Sequence, residues 1–171
     1  MGALMGPALV GALLLATLST IADYIWFLNI PQHQVSSGAI HGATLFAALG
    51  AYLGWRKGKL IAGALGGLLS GLAAALSFYA LAPVGGYYMM LVSWLLLWIL
   101  LAALQTYLDG RLDLAKAFTR GLVTALAAGV GFAIVLFDLY RHWPPQTFSF
   151  FEHFLLWAIA YEAGLIVLLR R

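Results

Sequence analysis

Asp23, His41, Asp138, His142, Glu152, His153 and Glu162 are the side chains of this sequence with the types and settings to do chemistry. Each sits in or beside a long apolar run. An ionisable group inside a membrane costs at least ~2.5 kcal/mol on insertion scales, so such a group marks a site by default. Most of them gather in the stretch 138–162, DLYRHWPPQTFSFFEHFLLWAIAYE. An earlier stretch, 23–41, repeats its layout: an Asp closes an apolar run, a Trp and a Pro follow, and a His opens the next run. The matched pairs are Asp23/Asp138, Trp26/Trp143, Pro31/Pro144 and His41/His153.

Carboxylates mixed with imidazoles suit the binding of a small cation or a small polar molecule. Asp138 and His142 are one helical turn apart and can face one ligand. At 100° per residue, Glu152 and Glu162 fall within about 80° of each other, whereas His153 lies about half a turn from Glu162. The reading placed first is binding or transport of a small molecule or cation at an outer-half Asp/Glu/His site. In it Glu162, the deepest acid, is a coupling carboxyl. Burial disfavours its charged form, so it is expected neutral and hydrogen-bonded, through Tyr161 or a Ser or Thr.

Two alternatives stay open. His41 and His153 have the character of axial haem ligands between facing helices. The Asp/His/Glu set can also hold a divalent metal that activates water against a lipid or quinone-like substrate. There is no cysteine, hence no CxxCH attachment, and neither an HExxH motif nor a GxSG-type nucleophile is present. Whether the chain is an enzyme is left open.

The elements that must position these residues are membrane helices. The chain is 64% hydrophobic and 9% charged over 171 residues, too apolar for a water-facing surface. Its continuous runs reach the ~20 residues of a bilayer crossing and lack the alternation of a membrane barrel. The sequence predicts an all-α, polytopic membrane bundle, one integral domain over 1–171 with transmembrane helices at about 4–28, 36–55, 60–82, 86–108, 117–140 and 150–169. The first run is too long for a cleaved signal and has no basic leader. Arg56, Lys57, Lys59, Arg111, Lys116, Arg120, Arg170 and Arg171 all fall on one side of such a bundle, and Arg141 on the other. This predicts both termini in the cytoplasm of a cell-membrane protein. The net charge of +3 therefore reflects topology, and no nucleic-acid partner is expected.

Within the helices, Ser37, His41 and Thr44 share a face, and Ser36 or Ser37 can cap the helix they begin. Gly63, Gly67 and Gly71 form a doubled GxxxG pattern, and Gly121, Ala125, Gly129 and Ala133 a related ridge. Both patterns suit tight helix packing. Ala8, Ala12 and Ala16 make a third small-residue ridge, and GWRKGKLIAGALGGLLSG is a Gly-rich turn into a helix. On these motifs spans 1 to 3 resemble the substrate-binding S component of energy-coupling-factor vitamin transporters. The resemblance implies a six-helix fold, substrate in the outer half, and a membrane partner protein docked along Ala8, Ala12 and Ala16.

Overall fold

The computed structural model describes residues 2–29, 35–141 and 149–170, with side chains at 5–25, 35–137 and 149–170. Among the described residues every regular element is helical. The order is α1 (Gly2–Asn29), α2 (Val35–Trp55), α3 (Leu60–Gly85), a 3-10 turn (Gly86–Tyr88), α4 (Met89–Leu108), α5 (Leu114–Arg141) and α6 (Phe150–Leu168). Among the described residues four stretches are long and apolar enough to cross a membrane: Met5–Ile25, Leu60–Leu108, Leu114–Phe137 and Phe150–Leu168. The composition and the helices together describe a multi-pass helical membrane protein. α2 falls outside those stretches because Ser36, Ser37, His41 and its glycines dilute its apolar character. Ser36 and Ser37 lie inside its first turn, not at the cap position expected of them.

The chain divides into two compact units, residues 34–126 and residues 1–33 with 127–171. In the first unit, backbone proximity holds α2 to α3. Helices in lipid gain little from apolar burial and associate through close packing and hydrogen bonds. A methyl group at Gly63 would collide with the carbonyl oxygen of Gly50, one at Gly67 with that of Phe46, and one at Gly71 with that of Gly42. Position rises on one helix as it falls on the other, so α2 and α3 are antiparallel. The doubled GxxxG pattern thus serves packing.

α3 and α4 form a second antiparallel pair. Lys59 Nζ donates to the carbonyl oxygen of Leu108 at 2.9 Å, joining the two ends of the 49-residue apolar stretch. Farther along, the Ser77 and Ser93 hydroxyls bond at 2.9 Å. Lys57 pairs with Asp109. Asp113 accepts from the Lys116 backbone N–H at 3.0 Å and so caps the start of α5. A methyl at Gly121 would strike the Ile99 backbone, which sets the first half of α5 close to α4.

In the second unit α1 packs antiparallel to α6: Ser19 meets Tyr161, and Asp23, one turn later, meets His153 and Trp157. Gly131 brings the later half of α5 against Ala160 of α6. The buried face of α1 includes Ala8, Ala12, Leu15, Ala16, Ser19 and Thr20. Ala8, Ala12 and Ala16 are 0% exposed, so the ridge expected to receive a partner protein is already covered by the chain itself. Along the other ridge, Gly121 and Ala125 are buried, but Gly129 has open space around it and Ala133 is exposed.

Candidate functional site

The site is built where the end of α1 meets the start of α6. Ser149 begins α6 as its N-cap, its hydroxyl accepting from the Glu152 N–H at 3.3 Å. With that start fixed, residues 153, 157 and 161 recur every fourth position and project from one face. Ser19 and Asp23 do the same on α1.

Three polar atoms then form a near-equilateral triangle. His153 Nε2 is 2.8 Å from Asp23 Oδ2, Trp157 Nε1 is 2.9 Å from the same oxygen, and the two nitrogens are 3.0 Å apart. The indole N–H can only donate. When Asp23 is ionised, it accepts from both rings. When Asp23 holds a proton, it can donate to His153 Nε2, and the indole N–H stays on the remaining lone pair of the carboxyl oxygen 2.9 Å away. The triangle therefore accommodates a proton on either side of the Asp–His contact without leaving the indole unpaired.

The surroundings are dry on one side and open on the other. The His153 side chain is 1% exposed and that of Asp23 is 15% exposed. Trp157 stacks on Tyr161 with centroids 5.0 Å apart, and Phe132 of α5 lies 5.9 Å from the indole. One turn deeper, Tyr161 and Ser19 bond at 2.9 Å. At the opposite end the exposed rings of Tyr24 and Phe150 pair with centroids 4.4 Å apart. Among the described residues Asp23 Oδ1 takes no hydrogen bond, whereas Oδ2 takes two. Thr20, 4% exposed and three residues earlier on α1, has a hydroxyl with no hydrogen-bond partner among the described residues.

Of the residues singled out in the sequence, the structure joins Asp23 to His153 directly. His41, Glu152 and Glu162 are not part of that contact. His41 is half-buried on α2, in the other unit. The nearby Thr44 hydroxyl donates to its own helix, to Ile40 O and His41 O. Glu152 is exposed and belongs to the N-terminal cap of α6. Glu162 is half-buried and makes no hydrogen bond or ion pair among the described residues. The Tyr161 hydroxyl expected to reach it is engaged by Ser19 instead. Asp138 lies in the last turns of α5, but its side chain is outside the described residues, as are His33, His142, Trp143, Pro144, Pro31 and the Trp26 side chain.

Among the described residues no three His, Asp or Glu side chains gather as a metal-holding group. His153 Nε2 is directed at Asp23 and Trp157, so in this arrangement it is not presented to a haem iron or another metal. Trp157, Tyr161, Ser19 and Thr20 were not legible as site residues from composition. Their signal was the i, i+4, i+8 spacing from His153 along α6 and its counterpart on α1.

Fold and site define a helical, multi-pass class of protein with a polar cluster between two antiparallel helices. No protein-family model matches the sequence, and no curated protein or solved structure matches the chain.

Proposed function

We propose that this protein is a multi-pass membrane protein that binds a small cation at Asp23, as the binding step of uptake or sensing across the membrane. The observation that carries the reading is the asymmetry of the Asp23 carboxylate. One oxygen is fixed by His153 and Trp157; the other takes no hydrogen bond among the described residues and belongs to a side chain with 15% exposure. Oδ1 is not among the buried polar atoms without a partner, so it can take a guest from solvent without breaking a protein contact. A group held rigidly by one oxygen and open at the other is preorganised for a positively charged guest.

The basic residues place both termini, the α2–α3 turn and the α4–α5 turn in the cytoplasm. The antiparallel pairing of α1 with α6 supports termini on one side. Asp23 then lies near the outer surface, reachable from outside. The test uses purified full-length protein in nanodiscs, with thermal unfolding followed against sodium, potassium, ammonium, choline and primary alkylamines. A saturable upward shift with at least one cation, lost in Asp23→Asn, is expected. No shift with any of these, together with no small molecule co-purifying by mass spectrometry, would overturn the reading.

A further inference from the structure

We infer that Asp23 and Thr20 together form a sodium subsite, with Asp23 Oδ1 and Thr20 Oγ1 as its protein ligands. This rests on the reading of Asp23 as a cation site and names the guest. Two independent observations meet here. Asp23 leaves Oδ1 without a hydrogen bond among the described residues. Thr20 is 4% exposed, and its hydroxyl has no partner among the described residues, not even the carbonyl one turn back on its own helix. Threonines on helices ordinarily bond that carbonyl when nothing else is offered. Thr17, Thr44, Thr119 and Thr124 of this chain do so. Thr20 is the buried threonine that departs from the habit.

The helix puts the two residues on neighbouring positions of one face. Residues three apart share a face, about 5–6 Å between Cβ atoms. A helical side chain leans toward the N-terminus and covers the turn before its own Cα. The Asp23 carboxylate therefore lies over the turn that contains Ser19 and Thr20. His153 and Trp157 hold Oδ2 from the α6 side, which fixes the carboxylate plane.

The ligand chemistry selects the guest. Both atoms are hard oxygen donors, which suit alkali and alkaline-earth ions over the softer transition metals. One carboxylate supplies one negative charge, and among the described residues no second Asp or Glu joins it, whereas calcium and magnesium sites recruit additional carboxylates or phosphates. A monovalent ion balances the charge. Two protein oxygens do not fill a sodium shell, and the exposure of Asp23 leaves the remaining positions to water. Because Thr20 is buried and Asp23 only partly exposed, an ion seated on both is partly desolvated, which distinguishes this site from a loose counter-ion at the surface.

The experiment measures 22Na+ binding by scintillation proximity on the full-length protein in nanodiscs of zwitterionic lipid, with potassium as competitor. Thr20→Val removes the hydroxyl at nearly constant volume, and Thr20→Ser restores a hydroxyl. Saturable sodium binding by the unaltered protein is expected, weakened about tenfold in Thr20→Val, a loss the size of one hydrogen bond, and substantially recovered in Thr20→Ser. Thermal unfolding without sodium should be unchanged or higher for Thr20→Val, since an unpaired buried hydroxyl is removed. Equal sodium affinity in Thr20→Val, with binding abolished in Asp23→Asn, would overturn the Thr20 subsite and leave the cation reading standing. Binding of another cation but not sodium would overturn the assignment of the ion. No binding of any cation would sink both.

Discussion

Removing Asp23 should cost less than its two hydrogen bonds suggest, and removing Asp23 and His153 together should cost more than the sum of the single changes. In Asp23→Ala the His153 and Trp157 rings lose their acceptor, but they stand 3.0 Å apart. Moving the imidazole proton to Nδ1 makes Nε2 an acceptor for the indole N–H. In His153→Leu the indole still donates to Asp23 across 2.9 Å. Each single change therefore loses the Asp–His bond, about 0.6 kcal/mol on average between membrane helices, and keeps Trp157 paired. The double variant loses that bond once and also takes from the buried indole N–H both its Asp23 and its His153 acceptor, at about 2 kcal/mol.

The interaction energy of the cycle is then about 2 minus about 0.6, or roughly +1.4 kcal/mol, with the double variant worse than additive. A plain Asp–His pair gives the opposite sign, because each single change already forfeits the whole bond. Repeating the cycle on Trp157→Phe, which retains a ring against Tyr161 but no N–H, should reverse the sign to roughly −0.6 kcal/mol. The assay is reversible unfolding of the full-length protein in mixed detergent micelles. A double variant no worse than the sum would refute the shared role of Trp157. An unchanged sign in the Phe background would show that the coupling has another source.

The other outcomes concern the frame around the site. Gly67→Ala places a methyl on the Phe46 carbonyl oxygen and should destabilise the protein by about 1–3 kcal/mol. The same change at Gly129, where nothing lies within 4 Å, should stay within about 0.5 kcal/mol, and equal effects at the two positions would refute the packing account. Reporter fusions after Lys59, Arg111 and Arg171 should score cytoplasmic, and one in the Gly86–Tyr88 turn external. An external signal at Arg171 would overturn the orientation and with it the outer placement of Asp23.

Helices were the most legible feature, because continuous apolar runs in a chain with 9% charged residues leave few other ways to satisfy the backbone. Their limits were legible to within a few residues, drifting where local chemistry decides. α3 continues through Pro83 to Gly85, and α5 starts early because Asp113 caps it. The glycine repeat of α3 announced close packing, but its partner could not be read, since GxxxG states that a helix approaches closely and not which one. The small-residue ridge of α1 had the same ambiguity: an alanine stripe looks alike whether it awaits a partner or is already covered.

The functional residues were half legible for a related reason. Rarity in an apolar chain flags a charged or ionisable group, and it flagged Asp23 and His153. It cannot flag Trp157, Tyr161, Ser19 or Thr20, which are ordinary components of a membrane helix until a neighbour gives their polar atoms a task. The internal echo described the two corners one by one. It aligned Asp23 with Asp138 and His41 with His153 as counterparts, and counterparts in a repeat share a position in the motif, not a place in space. What decides proximity is chain direction. α1 and α6 run antiparallel, so the end of one apolar run meets the beginning of another, and the closing Asp of the first corner lands on the opening His of the second. Any bundle that pairs its first and last helices this way brings a closing acid to an opening base. A corner motif of the form Asp, Trp, Pro, His is then best searched for partners across the two corners rather than within each.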